Sequence, residues 1–263
     1  MNLEHIHAIR DIELDSIVDL IRRFGPSGRS LEMLDVGAGS GRQAAQLAEG
    51  GHRVMAVDIE TSAYAEEMLF PVRMYDGKTL PFPDDAFDVV ISSNVLEHVN
   101  DLDGLLDEIR RVLRPDGVGI HVLPTPAWRV WTTAAHGPWM LKRTWQLLAG
   151  TRRRQRQVGG DSPEHARSRG AIGLIVPSRH GERGNVFSEI WYFSPDWWRK
   201  AFRRNGWTVI HDVRVGLFYT GAMLFATTLG LEVRKGLARV LGSATRAYVL
   251  RSDKTADMSA SNQ

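Results

Sequence analysis

Three glycines at alternate positions interrupt the stretch Leu34-Asp35-Val36-Gly37-Ala38-Gly39-Ser40-Gly41, between an apolar run and a polar one. Glycines at that spacing let a strand turn sharply and bring its backbone close to a ligand, just where a following helix offers free N–H groups. Asp58 closes a second apolar run, where nucleotide-binding α/β proteins place the carboxylate that holds ribose hydroxyls. Asp76 follows a third run. With Asp35, these residues put three acids at one sheet edge. Such an edge repels a pyrophosphate and accommodates a cationic sulfonium with an amino-acid tail. The segment Gly39-Ser40-Gly41-Arg42-Gln43-Ala44 also fits the dinucleotide fingerprint G-x-G-x-x-G/A, which keeps a nicotinamide-dependent oxidoreductase as a rival. No Tyr-x-x-x-Lys pair stands beside the sheet to support that rival.

Apolar residues at helical spacing over 11–24, stopped by Gly25-Pro26, predict a helix. Short apolar runs predict strands at 31–36, 53–59, 71–75, 87–93 and 118–123, with helices over 43–49 and 101–113 between them. Pro115-Asp116-Gly117 reads as a turn. From Pro124 to Ser194 the alternation stops, a stretch too long for an ordinary connection. It resumes with a helix over 194–206, a strand over 207–216, a helix over 222–241 and a strand over 244–251. The pattern predicts an α/β, Rossmann-like fold whose mostly parallel sheet is covered on both faces. Residues 1–29 form an N-terminal helical segment, 30–124 and 194–251 the sheet domain, 125–193 an insertion after strand five, and 252–263 a polar, frayed tail.

Read in order, LDVGAGSGR, VMAVDIE, YDGKTLPFPDDAFDVVISSNVLEHV and IRRVLRPDGVGIHVLPTP resemble class I S-adenosylmethionine-dependent methyltransferases of the ubiquinone/menaquinone type. The likeness covers about residues 30–126 and returns more weakly over 194–251. It implies a seven-stranded sheet with an antiparallel last strand, and S-adenosyl-L-methionine as cofactor. It places Asp35, Gly37 and Gly39 at the methionine part, with Ala38 in the same loop, and Asp58 at the ribose. Ile59 would pack on the adenine, Asp76 accept from its exocyclic amine and Gly77 offer a backbone N–H. Ser93 and Asn94 would close over the sulfonium side. Gly77 departs from the family pattern, where alanine is more usual.

Methyl transfer requires acceptor, methyl and sulfur held in line, and an oxygen acceptor needs a base within hydrogen-bond reach. Candidate bases are His98, His136, His165, His180, Glu182 and Glu189; His180, on a polar glycine-flanked loop, and His98, just past strand four, are preferred. No tight His/Asp/Glu ligand spacing stands out, so no metal is expected. The insertion, placed at the carboxyl edge of the sheet, is read as an acceptor cap over a small-molecule or lipid- or glycan-linked substrate. Residues 125–190 hold 11 Lys or Arg against 4 Asp or Glu, a formal +7, so the rest sums to −5 within a net +2. Trp128, Trp131, Trp139 and Trp145, followed by Arg152, Arg153, Arg154 and Arg156, admit three roles. They fit a tryptophan-rich core, an arginine site for an anionic substrate group, or peripheral membrane contact through 127–156. No Asn-Pro-Pro-Tyr element follows strand four, so nucleic-acid base methylation of the flipped-amine type is not expected. A cofactor-binding protein without catalysis remains the other alternative.

The chain has 263 residues and no cysteine, which excludes disulfides, thiolate metal sites and a cysteine nucleophile. The first residues lack the basic-then-apolar pattern of a secretory signal, and Val215–Leu231 is too short and too rich in Gly and Thr for a membrane span. A cytoplasmic enzyme is expected.

Overall fold

The computed structural model describes residues 3–59, 68–148, 179–220 and 229–253. Seven strands make one sheet: β1 (Glu32–Val36), β2 (Arg53–Ile59), β3 (Arg73–Tyr75), β4 (Phe87–Ser93), β5 (Leu113–Pro124), β6 (Trp207–Arg214) and β7 (Thr245–Ser252). Their order is β3-β2-β1-β4-β5-β7-β6, parallel from β3 through β5, with β7 antiparallel to both neighbours. This is the Rossmann-like sheet with an antiparallel last strand that the sequence implies.

Side-chain alternation along the central strands builds two cores. Leu34, Val36 and Val90 face a cluster with α3 (Leu102–Val112) and, from later in the chain, the helix Pro195–Arg204. Met33, Val89 and Ile91 face the opposite cluster, filled by Leu14, Ile17, Leu20 and Ile21 of α1 (Leu3–Phe24) and Leu47 of α2 (Arg42–Glu49). Asp101 caps α3, its Oδ1 accepting from Gly104 N–H at 3.0 Å.

Two sequence expectations change. Pro115-Asp116-Gly117 is no turn between elements but part of a bulge inside β5: Leu113 pairs with Phe87, and the ladder resumes at Val118 opposite Val89. Beside it, the buried Asp88 takes Arg29 through two 2.6 Å bonds, Arg114 at 2.6 Å and Glu32 N–H at 2.9 Å. Burial would raise the Asp88 pKa, but these donors outweigh it and hold the carboxyl well below the usual range.

The insertion opens with a long helix, α4 (Pro126–Leu148), where no regular pattern was predicted. Thr125 starts it, its Oγ1 accepting from Trp128 N–H at 3.2 Å, and Pro126 fills the first turn. The interior Gly137-Pro138 reads as a stop in sequence and hides the helix. After α5 (Glu189–Tyr192) comes α6 (Pro195–Arg204), capped by Ser194 as its sequence predicts; α7 (Leu231–Leu241) begins after Gly230. Of the helix expected over 222–241, residues 222–228 lie outside the described residues, and 229–230 are not helical but lead into α7. Among the described residues no helix is long and apolar enough to cross a membrane.

Candidate active site

β1 and β2 are parallel neighbours, so the loop leaving β1 lies against the end of β2. The N–H groups of Gly37 and Ala38 both donate to Val57 O, at 2.9 and 3.1 Å. Gly37 has φ +74°, and a Cβ there would lie 2.4 Å from Val95 Cγ2, so only glycine fits. Asp58 Oδ2 accepts from Gly39 N–H and its Oδ1 from Ile59 N–H, each at 2.7 Å. A loop N–H that a pyrophosphate could use is thus already taken by a carboxylate.

Asp35 is 1% exposed, and its Oδ2 accepts no hydrogen bond. Burial, with the Asp58 charge adding, pushes its pKa up to about 7. A buried acid oxygen with no donor is matched by an ammonium group. Ile59 is 43% exposed beside Gly77, whose missing Cβ would sit 3.3 Å from Ile59 Cγ2; together they offer a flat apolar ledge suited to a purine. Asp76 Oδ1 accepts from Thr79 and Lys78 N–H at 3.0 and 2.9 Å, which holds this exposed carboxyl below its usual range and ionised. The residues therefore fit an aminoacyl nucleoside, held by its ammonium, its ribose and its base.

Past β4, Asn94 adopts φ 55° and joins Ser93 in donating to Glu13 Oε2, at 3.2 and 3.4 Å. Glu13, fully buried on α1, also takes Arg10 at 2.6 Å, Tyr219 OH at 2.9 Å and the Thr245 hydroxyl at 3.1 Å. The N-terminal helix thus locks onto the edge that Ser93 and Asn94 form. Sequence reasoning missed Glu13, because an acid in the acid-rich DIELDS gives no sign of burial.

Directly after Asn94, a short 3-10 turn (Leu96–His98) presents Glu97 and His98. His180 meets them from the far end of the insertion. Its Nε2 and that of His98 each lie 3.8 Å from Glu97 Oε1, and the two rings are 4.5 Å apart. The two preferred histidines, 82 positions apart in the sequence, are thus neighbours. Glu97 is 2% exposed, and neither carboxylate oxygen accepts a hydrogen bond. Burial pushes it up to about 8. Burial also lowers the His98 pKa, and takes His180 down to about 3 with help from the His98 and Arg129 charges, so His180 is neutral at pH 7.

The loop carrying His180 is built rigidly. His180 and Gly181 N–H donate to Glu189 Oε1 at 2.6 and 2.8 Å, and Glu189 Oε2 faces Arg129 Nη1 at 3.2 Å in a fully buried pair. Glu182 N–H donates to Glu97 O at 2.9 Å, and the Trp128 ring lies 4.5 Å from His180. Of the other candidate bases, Glu189 is therefore committed to holding the loop, and Glu182 pairs with Arg179 at 3.0 Å. His136 lies half-buried on α4, and His165 falls outside the described residues. Trp128 is buried, and Trp131 Nε1 donates to Leu241 O at 2.9 Å, so both tryptophans serve packing. The side chains of Trp139 and Trp145 and residues 152–156 lie outside the description.

Residues 34–120 match the family described as "Methyltransferase domain". A ubiquinone biosynthesis O-methyltransferase of Rhodopseudomonas palustris is 26% identical over 73% of this chain and 79% of that protein. An uncharacterized methyltransferase of Mycobacterium leprae is 43% identical over 35% of this chain and 36% of its own length. Among solved structures, a chain of the complex between the Haloferax volcanii Trm112 methyltransferase activator and a methyltransferase superposes with TM-score 0.54, at 18% identity. That match covers 94% of this chain and 92% of the other, and it speaks for the fold. Residues 34–120 thus carry a methyltransferase domain, and the strand order around it is that of the class I S-adenosylmethionine-dependent fold. S-adenosylmethionine is its cofactor, and when bound it supplies an electrophilic methyl on a sulfonium.

Proposed function

We propose that the enzyme methylates an oxygen atom of a small-molecule or lipid- or glycan-linked acceptor, with residues 125–193 capping the acceptor side. Asp35, Gly37, Ala38 and Gly39 receive the aminoacyl end, Asp58 the ribose, and Ile59, Asp76 and Gly77 the adenine. Ser93 and Asn94 form the wall nearest the reacting carbon. The observation that carries this reading is the convergence of Glu97, His98 and His180 beside that wall. In the reaction the acceptor hydroxyl gives up its proton, and its oxygen forms a bond to the methyl carbon. The carbon–sulfur bond breaks with its electron pair going to sulfur, leaving a methyl ether, S-adenosylhomocysteine and one proton. Handling that proton falls to the cluster, which nitrogen or carbon acceptors with a free lone pair or carbanion would use differently.

Methyl transfer from labelled cofactor to a panel of hydroxylated, aminated and carbon-acid acceptors tests the reading. The expected product is an ether, and His180→Ala lowers turnover by about a hundredfold, within the range for acid–base groups, while S-adenosylhomocysteine still binds. Cofactor binding with no turnover on any acceptor would support the non-catalytic alternative.

A further inference from the structure

We propose that Glu97, His98 and His180 form a binding site for one divalent transition-metal ion, of the zinc or manganese class. The absence of regular ligand spacing in the sequence argued against a metal, but two of the three donors are adjacent and the third arrives from a distant loop. Glu97 Oε1 stands 3.8 Å from both Nε2 atoms, and the three donor atoms lie within 4.8 Å of one another. At metal–ligand lengths of about 2.0–2.2 Å, tetrahedral donors are somewhat closer together than this, so a small contraction suffices.

The second observation is independent of spacing. Glu97 is buried, and neither of its oxygens accepts a hydrogen bond, a costly state for a buried carboxylate unless something else partners it. A cation shared with the two imidazoles satisfies it. The supporting shell is in place: Glu189 fixes the His180 backbone, Arg129 backs Glu189, and Glu182 N–H fixes the Glu97 carbonyl. Two histidines and one carboxylate are the donor set of open, catalytic zinc sites rather than of all-oxygen magnesium sites. His98 and His180 keep 41% and 34% of their side-chain surface exposed, so an ion and an exogenous ligand can reach the cluster from solvent.

The ion's role rests on the oxygen-acceptor reading: an acceptor hydroxyl at the open position ionises near neutral pH, its proton passing to water. Its binding does not rest on that reading. The test uses the full, tag-free chain, stripped with chelator and titrated with Zn²⁺, Mn²⁺, Mg²⁺ and, as a spectroscopic probe, Co²⁺. The expected result is one Zn²⁺ or Co²⁺ per chain, visible Co²⁺ ligand-field bands, and Mg²⁺ bound at least about tenfold more weakly, as imidazole-rich sites prefer zinc. Glu97→Gln, His180→Ala and the more exposed His98→Ala each weaken Zn²⁺ by about a hundredfold or more, beyond the loss from a supporting residue. Binding of S-adenosylhomocysteine is kept, which identifies folded variants. No stoichiometric ion in the wild type, or equal affinity in folded variants, overturns the site. A bound ion with only nitrogen- or carbon-methylated products leaves the site standing and refutes the oxygen-acceptor reading.

Discussion

Asp35 and Asp58 end adjacent strands, yet their surroundings differ. Asp58 is met by two backbone N–H groups, whereas Asp35 is buried with an oxygen that no donor reaches. The native Asp35 pKa of about 7 lies above its ordinary 3.8. The folded chain therefore holds a proton that the unfolded chain has lost, and its stability falls as pH rises through this window and levels off above it. Asp35→Asn removes that contribution, so urea unfolding at pH 5 and pH 8 should differ less in the variant than in the wild type. A cofactor ammonium beside Asp35 favours the charged form, so binding at pH 6 should release a proton. Calorimetry in buffers of different ionisation heat detects it, and an observed heat that does not depend on the buffer would place the ammonium elsewhere. Gly37→Ala forces a left-handed φ on a side chain that overlaps Val95. It should cost about 1–3 kcal/mol of stability, as strained backbone does, read from denaturant midpoints.

At the scale of elements, the Arg129–Glu189 pair joins α4 to α5 and holds the His180 loop. Arg129→Met leaves Glu189 buried without its cation and should cost about 3–5 kcal/mol in chemical unfolding. Loss of one partner of an exposed pair such as Arg179–Glu182 should be nearly silent. Strands β1 and β4 were legible because parallel strands buried on both faces are continuous apolar runs, and the glycine loop because its spacing is dictated by backbone approach. The bulge in β5 was not, since Pro115-Asp116-Gly117 carries turn chemistry, while the buried Asp88 beside it bonds Arg114 of the bulge and the distant Arg29. Nor was α4, where Gly137-Pro138 masks a helix stabilised by packing. Half the acceptor edge was legible: His98 and His180 stood out by type, but Glu97 and Glu13 matter through burial, which local sequence does not encode.

Across the whole molecule, the proposed function assigns the cofactor to the edge at β1, β2 and β3 and the acceptor to the edge past β4, where the inserted segment brings His180. Replacing residues 149–178 with a Gly/Ser linker should therefore abolish turnover and leave cofactor affinity unchanged; collapse of both would show that the insertion supports the cofactor pocket instead. The central claim is that a glycine loop after β1, flanked by Asp35 and by Asp58 at the end of β2, receives a charged nucleoside. Titration calorimetry of S-adenosylmethionine into the wild type and Asp58→Ala tests it most directly. The account predicts 1:1 binding weakened by about 1–3 kcal/mol in the variant, the cost of hydroxyls left without their charged acceptor. Equal affinity in the two proteins, or binding of a nicotinamide dinucleotide in place of S-adenosylmethionine, would contradict it.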